Sequence, residues 1–364
     1  MKRYQITNFQ WGCLLVVLSF FLTGCPKPPP PDTKTVVSHG LYVLNEGLYG
    51  MNNTTISYYD LETGTVTPDL FSQVNHRGLG DTGSDLQQYG AKLYCVVNVS
   101  ETIEIMDAAT CESVKQLSFP GKQPRKIAFH QGFAYVCCFS GDVLKIDTAT
   151  MTVADVKQAG RSPESLCVVN NKLYVANSGG MDFPNYDKTI TVFNLPAFSV
   201  ATTIEVGLNP TILQSDGIGA LYVISRGNYD DIPATFKKID CQTDAIVQTY
   251  PFTLSNMAIA APLAYIYNYD FGSGSSSIQV MNLTTGTIVK NAFITDNTTI
   301  AQPYHISVSP FSETIYITES YQNTTTGDVY GFSPNGVRKF KFEAGINPCK
   351  IVEFQRTSTV LAKN

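Results

Sequence analysis

Few side chains in this 364-residue sequence are suited to chemistry near neutral pH. There are four histidines, His39, His76, His130 and His305. No HExxH, GxSxG, phosphate-binding Gly-rich loop or dinucleotide fingerprint stands in a suitable context. Were the protein a lyase or hydrolase, His305 or His76 would be its base. Glu46, Asp81, Asp85 and Glu319 fall where the repeats described below converge. Such a set can form a carboxylate pair or a Ca²⁺ site, although solvated loop acids are the commoner outcome. The expectation is a protein without catalytic residues, metal or cofactor.

The nine cysteines do not read as a disulfide framework. Cys13 and Cys25 belong to an N-terminal leader, and the seven that remain cannot all pair internally. Most interrupt apolar strand patterns, as in Leu93-Tyr94-Cys95-Val96 and Tyr135-Val136-Cys137-Cys138, where Cys serves as a small core residue. No CxxC spacing with a nearby His supports zinc.

The elements that must position these groups are strands. Charged residues make up 15% of the chain, and Tyr, Thr, Val and Ile are plentiful, which favours an all-β protein over long helices or disorder. The formal charge is -5, so the surface repels phosphate backbones and nucleic acid is excluded as a partner.

Lys2 and Arg3 precede an apolar run from Trp11 to Leu22, too short to span a bilayer and suited to a secretory signal. The run ends in Leu22-Thr23-Gly24-Cys25, which resembles the bacterial lipobox and implies acylation of Cys25. Pro26-Lys27-Pro28-Pro29-Pro30-Pro31 then favours a semi-rigid polyproline spacer. The expected organisation is a signal at 1–24, a lipidated Cys and linker at 25–39, one domain at 40–356 and a tail at 357–364. The only expected contact with the membrane is the lipid anchor.

Self-comparison defines the domain. A Tyr-centred apolar triplet recurs seven times, from Leu41-Tyr42-Val43 through Leu173-Tyr174-Val175 to Ile315-Tyr316-Ile317. Tyr42 and Tyr316 are 274 residues apart over six intervals, a mean of about 46. Each triplet is followed by an alternating strand, ending in Asp or Asn in six copies and degenerate in the seventh, Val329-Tyr330-Gly331-Phe332-Ser333, then a turn and a last strand. Most units then open with Gly-x-x-Pro, as in Gly121-Lys122-Gln123-Pro124 and Gly345-Ile346-Asn347-Pro348. Pro suits the first residue of a strand, where no ladder donor is needed. Four strands per unit predict a seven-bladed β-propeller with four-stranded blades. The strand Lys350-Ile351-Val352-Glu353-Phe354 has no blade of its own and should complete blade one.

Leu173-Tyr174-Val175-Ala176-Asn177 and its cognates resemble the YVTN (YncE-like) propellers over nearly all of Gly40 to Phe354. Leader, lipobox, spacer and propeller together resemble outer-membrane surface lipoproteins of Bacteroidetes. The stretch from Gly80-Asp81 to Ile103-Glu104-Ile105 is similar to blade two of the BtuG type. That resemblance implies capture of cobalamin or another corrinoid and its transfer to a TonB-dependent transporter. Pro and Lys after Cys25 depart from the acidic export signals usual in that phylum, so the periplasmic leaflet stays open beside the cell surface.

The loop after each triplet shares a face, here called the top, with the Gly-x-x-Pro openings. Asn45, Tyr49, Asn98, Asn177, Phe183, Tyr186, Tyr229, Tyr269, Phe271 and Tyr321 lie on those loops, with Arg125, Arg161, Arg226, Tyr304 and His305 beside the openings. Aromatics on long loops over a rigid ring form a ligand platform. Tyr269, Tyr304 and Tyr321 are the expected stacking residues, an Arg the expected partner of a ligand phosphate. A scaffold that binds another envelope protein through the same loops is the alternative.

Overall fold

A computed structural model describes residues 33–361. The leader, Cys25 and the proline spacer lie outside the described residues. Seven four-stranded antiparallel sheets follow one another: blade two is residues 83–118, blade three 124–158, blade four 163–205, blade five 210–249, blade six 256–290 and blade seven 303–346. Blade one is built from both ends of the chain. Its innermost strand is Pro348–Leu361, followed outward by Thr33–Asn45, Thr55–Asp60 and Val66–Thr67. The expected closure is therefore present, and it removes two exposed sheet edges.

Both terminal strands are longer than the sequence suggested. Strand begins at Thr33, inside the expected linker, and continues to Leu361, inside the expected tail. Residues 37–357 form one compact unit. A short helix, Leu70–Asn75, was not anticipated. Asp69 accepts the Ser72 N–H at 3.2 Å to start it, and Phe71 anchors it in the core.

The Tyr triplets are continuously apolar because each blade is sandwiched between two others. Alternate residues of one strand enter different cores. Leu93 and Cys95 pack toward blade one, whereas Tyr94 and Val96 pack toward blade three. The buried apolar residues form seven clusters, each shared by one adjacent pair of blades. Three of the tyrosines also stitch to the next blade. Tyr42 Oη donates to Ala108 O at 2.9 Å, Tyr174 Oη to Asp244 at 2.7 Å, and Tyr316 Oη to Glu353 at 2.8 Å. All seven cysteines from Cys95 to Cys349 are free thiols, and five are fully buried.

The Asp or Asn that ends the third strand in six of the blades has a local function. Asp60, Asp107, Asp147 and Asn282 each accept backbone N–H groups two and three residues on, at 2.8–3.1 Å, closing Asx turns.

Candidate functional site

The Gly-x-x-Pro openings create the site. In four of them, and in the corresponding Gly80-Asp81-Thr82-Gly83 of blade two, the residue just before the strand adopts left-handed backbone: Thr82, Gln123, Ser162, Asn209 and Asn347. Its carbonyl accepts the N–H of the residue that follows the second strand: Asn98, Phe139, Ser178, Arg226 and Glu46, at 2.8–3.3 Å. Opening and top loop are thus clamped together. The Gly serves close approach, since a Cβ at Gly160 would stand 2.4 Å from the Asn177 side chain, and one at Gly345 2.7 Å from Asn45.

A β-bulge follows. The register slips by one residue at Gly83/Asp85, Pro124/Lys126, Pro163/Ser165, Pro210/Ile212 and Pro303/His305. The unpaired residues are Ser84, Arg125, Glu164, Thr211 and Tyr304, and all five line a cavity of about 650 Å³ at the top of the ring. Bulges re-aim side chains, and here they aim them at the axis. The residues one step deeper, Asp85, Lys126, Ser165, Ile212, His305 and Lys350, line it too.

Of the residues expected from sequence, Arg125, Arg226, Tyr229, Tyr269, Phe271, Tyr304 and His305 meet at this cavity. The others do not line it. Asn45, Asn98 and Asn177 are buried pins: their side-chain amides donate to Thr55 and Ser57, to Pro124 O, and to Thr189 and Thr191, at 2.9–3.0 Å. Tyr49 stands exposed at a loop tip. Tyr321 turns aside, its hydroxyl held by Asp328 and, at 3.2 Å, by Glu319. His76 caps the short helix and is exposed. Phe183 and Tyr186 sit outside the cavity but continue its aromatic wall, with ring centroids 5.9 Å apart and Tyr186 6.2 Å from Tyr229.

Each of the three arginines already has protein partners, Arg125 and Arg161 a carboxylate and Arg226 only neutral oxygens. Arg125 forms a forked pair with Glu164, its Nε at 2.8 Å and Nη2 at 2.7 Å from Oε1, and lies over the Phe139 ring. Burial alone would lower its pKa, but Glu164 outweighs this and raises it. Arg226 donates to Thr211 Oγ1 at 3.2 Å and Ser255 O at 2.6 Å. Arg161 pairs with Asp182 at 2.7 Å on the exposed rim.

The acids are likewise dispersed rather than gathered at one point. Glu46 accepts the Tyr304 hydroxyl at 2.6 Å, and burial followed by this carboxylate pushes the phenol pKa up. Asp81 accepts the N–H groups of Gly50 and Asn52, and Glu319 those of Ala301 and Gln302. Asp85 is the buried acid of the cavity floor. Burial, the largest single influence, would raise its pKa; Lys350, Lys126, the Ile127 N–H and Gln87 together hold it below the usual carboxylate range. His305 is pushed down to about 3 by burial and by Lys350 and Lys126, against Asp85, and so stays neutral. Burial, with Glu46 next, pushes the Cys349 thiol up to about 12.

The mouth is therefore divided. Blades seven, one, two and three supply His305, Lys350, Asp85 and Lys126 as a charged arc, and Arg125 and Glu46 stand just above. The loops of blades five and six supply Tyr229, Tyr269 and Phe271 as an aromatic arc. The stretch Asn268–Ser277, expected to be a loop, is mostly hairpin: its strands run to Asp270 and from Ser275, so Tyr269 rides on paired backbone and Phe271 on the turn that joins the strands. Lys126 and Lys350 were missed from sequence. Their signal was position, two residues after an opening Pro.

Residues 39–351 match the family model of a domain of unknown function, DUF5074. No curated protein matches the chain. Among solved structures, a quinoprotein alcohol dehydrogenase-like protein from Bacteroides thetaiotaomicron is similar at 15% identity, with 86% of this chain and 77% of that one covered and a TM-score of 0.61. A protein from Bacteroides fragilis provisionally assigned as a 6-phosphogluconolactonase also has a TM-score of 0.61, at 14% identity over 87% of this chain and 98% of that one. Apo AztD from Citrobacter koseri reaches 0.55 at 12% identity, over 89% and 99%. These likenesses establish the propeller fold.

Proposed function

The chain belongs to the DUF5074 family, whose name assigns no activity, and we propose that it is a binding protein, not an enzyme, which holds a bulky, partly planar organic ligand across its top mouth. The observation that carries this reading is the division of one cavity of about 650 Å³ into an aromatic and a charged arc. That volume suits a small-molecule site. Phe271 and Tyr229 are 81% and 72% exposed, far more than large aromatics with a packing function alone. A corrinoid answers the description, with a broad apolar face, a rim of amides and one phosphate. Its ring would lie on the aromatic arc above the cavity and send a peripheral group down. A protonated Cys349 and a neutral His305 without a nucleophile at hand support binding over catalysis.

We propose further that Cys25, following Leu22-Thr23-Gly24, anchors the protein in the outer membrane at the cell surface, and that the cargo passes to a TonB-dependent transporter. The Cys25→Ala protein should leave the membrane fraction; one that stays acylated and membrane-bound would refute the anchor.

Calorimetric titration of cyanocobalamin, then of other corrinoids, haem and glycans, tests the ligand. Binding at micromolar concentration or below is expected, weakened about thirtyfold by loss of an aromatic anchor that the ligand would cover, in Tyr229→Ala, Tyr269→Ala or Phe271→Ala. Absence of corrinoid binding would sink that assignment. Tight binding unchanged in all three variants would move the site elsewhere. A protein partner captured through Phe183 and Tyr186 without any ligand would favour the scaffold reading.

A further inference from the structure

Two ammonium groups on the cavity floor are left with little to do. A lysine carries three N–H donors and no acceptor. Lys126 Nζ donates to Ser84 O, and among the described residues it has no carboxylate within 4.0 Å. Lys350 Nζ has Asp85 Oδ1 at 3.5 Å, too long for a strong charge-assisted bond. Asp85 does not neutralise them both. Its Oδ1 already accepts the Leu86 N–H at 3.0 Å, and its Oδ2 the Ile127 N–H at 3.1 Å and Gln87 Nε2 at 3.2 Å. Three protein donors thus occupy the one carboxylate while two lysines stand beside it. Asp85, Lys126 and Lys350 together sum to one positive charge, and Glu46, which also lines the cavity, is engaged by the Tyr304 hydroxyl at 2.6 Å.

His305 completes the cluster. Its backbone N–H donates to Thr318 Oγ1 at 2.9 Å, which fixes the residue, while its ring Nε2 is buried without a hydrogen-bond partner. Burying a polar atom without a partner costs free energy unless something arrives to meet it. All three groups lie at corresponding positions, two residues after Pro124, Pro348 and Pro303.

We propose that the cavity floor is an oxyanion subsite, in which Lys126, Lys350 and the unpartnered Nε2 of His305 receive a carboxylate or phosphate group of the bound molecule. This rests on the reading of the cavity as a ligand site and names the second pole of that ligand: an acidic group reaching downward from a body seated on the aromatic arc. Of the arginines lining the cavity, Arg125 is neutralised by Glu164, and Arg226 is spent on Thr211 and Ser255 rather than on this cluster.

The test uses inorganic phosphate and acetate as probes, with imidazole resonances of the full chain followed by NMR at low ionic strength, where screening is weakest. Four histidines make the spectrum assignable. The His305 signal is expected to shift saturably with millimolar probe while His39, His76 and His130 stay still. Response to both probes marks a general oxyanion site, and response to one names the acid. Lys126→Met and Lys350→Met should each weaken the response about tenfold, the loss of one charge-assisted bond. Lys350→Arg should restore it. Unmoved signals from the other three histidines show that a variant is folded, and Lys126→Met carries the test should Lys350→Met disturb the closing strand. Absence of a saturable His305 shift, or an equal shift in both Met variants, would overturn the subsite. A His305 response in a protein that binds no corrinoid would sink the corrinoid assignment and leave the subsite standing. Corrinoid binding with a silent His305 would do the reverse.

Discussion

The charged and aromatic arcs of the mouth are built by different means. Lys126, Asp85, Lys350 and His305 stand on innermost strands, flanked by bulges and clamped openings, with the neighbouring blades packed at their backs. Tyr229 projects from a loop, and Tyr269 and Phe271 from a hairpin end, with few neighbours. One arc is part of the ring's structure, whereas the other is mounted on it. Substitutions in the first should therefore disturb folding as well as binding, and substitutions in the second binding alone.

The largest effect should come from the charged arc's dependence on ring closure. Lys350 arrives on the strand that completes blade one, where Glu46 N–H donates to Asn347 O at 2.9 Å and Gly47 N–H to Ile346 O at 3.1 Å. Deletion from Gly345 onward should unfold or aggregate the protein. A truncated chain melting at the parental temperature would break the comparison outright.

Next in size is Glu164→Ala, which leaves the partly buried Arg125 guanidinium without its forked partner and should cost about 2 kcal/mol in denaturant unfolding. Less than about 0.5 kcal/mol would mean that the charged arc is no more structural than the aromatic one.

A smaller effect is pH-linked. His305 has a folded pKa of about 3 against an ordinary 6.5, with Lys350, Lys126 and Asp85 as the charged groups facing it. The unfolded chain takes up a proton that the folded one refuses, so stability is whole above about pH 6.5 and falls on acidification toward 3. In His305→Gln the loss of melting temperature between neutral and mildly acidic pH should be shallower. An identical profile would show that His305 does not titrate differently in the folded and unfolded chain.

Smallest of all, Tyr229→Ala and Phe271→Ala should change stability by no more than about 0.5 kcal/mol, because neither ring is buried. A larger destabilisation would mean that these aromatics pack the fold instead of waiting for a ligand.

Much of this architecture was legible in the chain because its signals are local. The Leu-Tyr-Val triplets mark strands buried on both faces, the Asp and Asn residues mark Asx turns, and Gly-x-x-Pro marks the start of each innermost strand. Even closure followed from an orphan strand, Lys350 to Phe354, at one end and a missing one at the other. The helix at Leu70–Asn75 escaped because it is a single N-capped turn with one buried residue, too short to show a period.

The site was legible only in part. Tyr304, His305, Tyr269 and the arginines could be assigned to the top face by counting repeats, but not whether they were already engaged. Arg125 and Glu164 belong to adjacent blades 39 positions apart, and their pairing depends on two bulges turning both side chains inward. Tyr321 was expected to stack on a ligand, yet Asp328 holds its hydroxyl. What the sequence determined by itself was the strand pattern, the number of blades and the face on which function would lie, since each depends on contacts within about one repeat. Only the tertiary structure decided that Asp85, Lys126, His305 and Lys350 should share one cavity floor. Residues so far apart in the chain meet only when the ring closes, and the bulge and register at each strand set which side chains reach the axis.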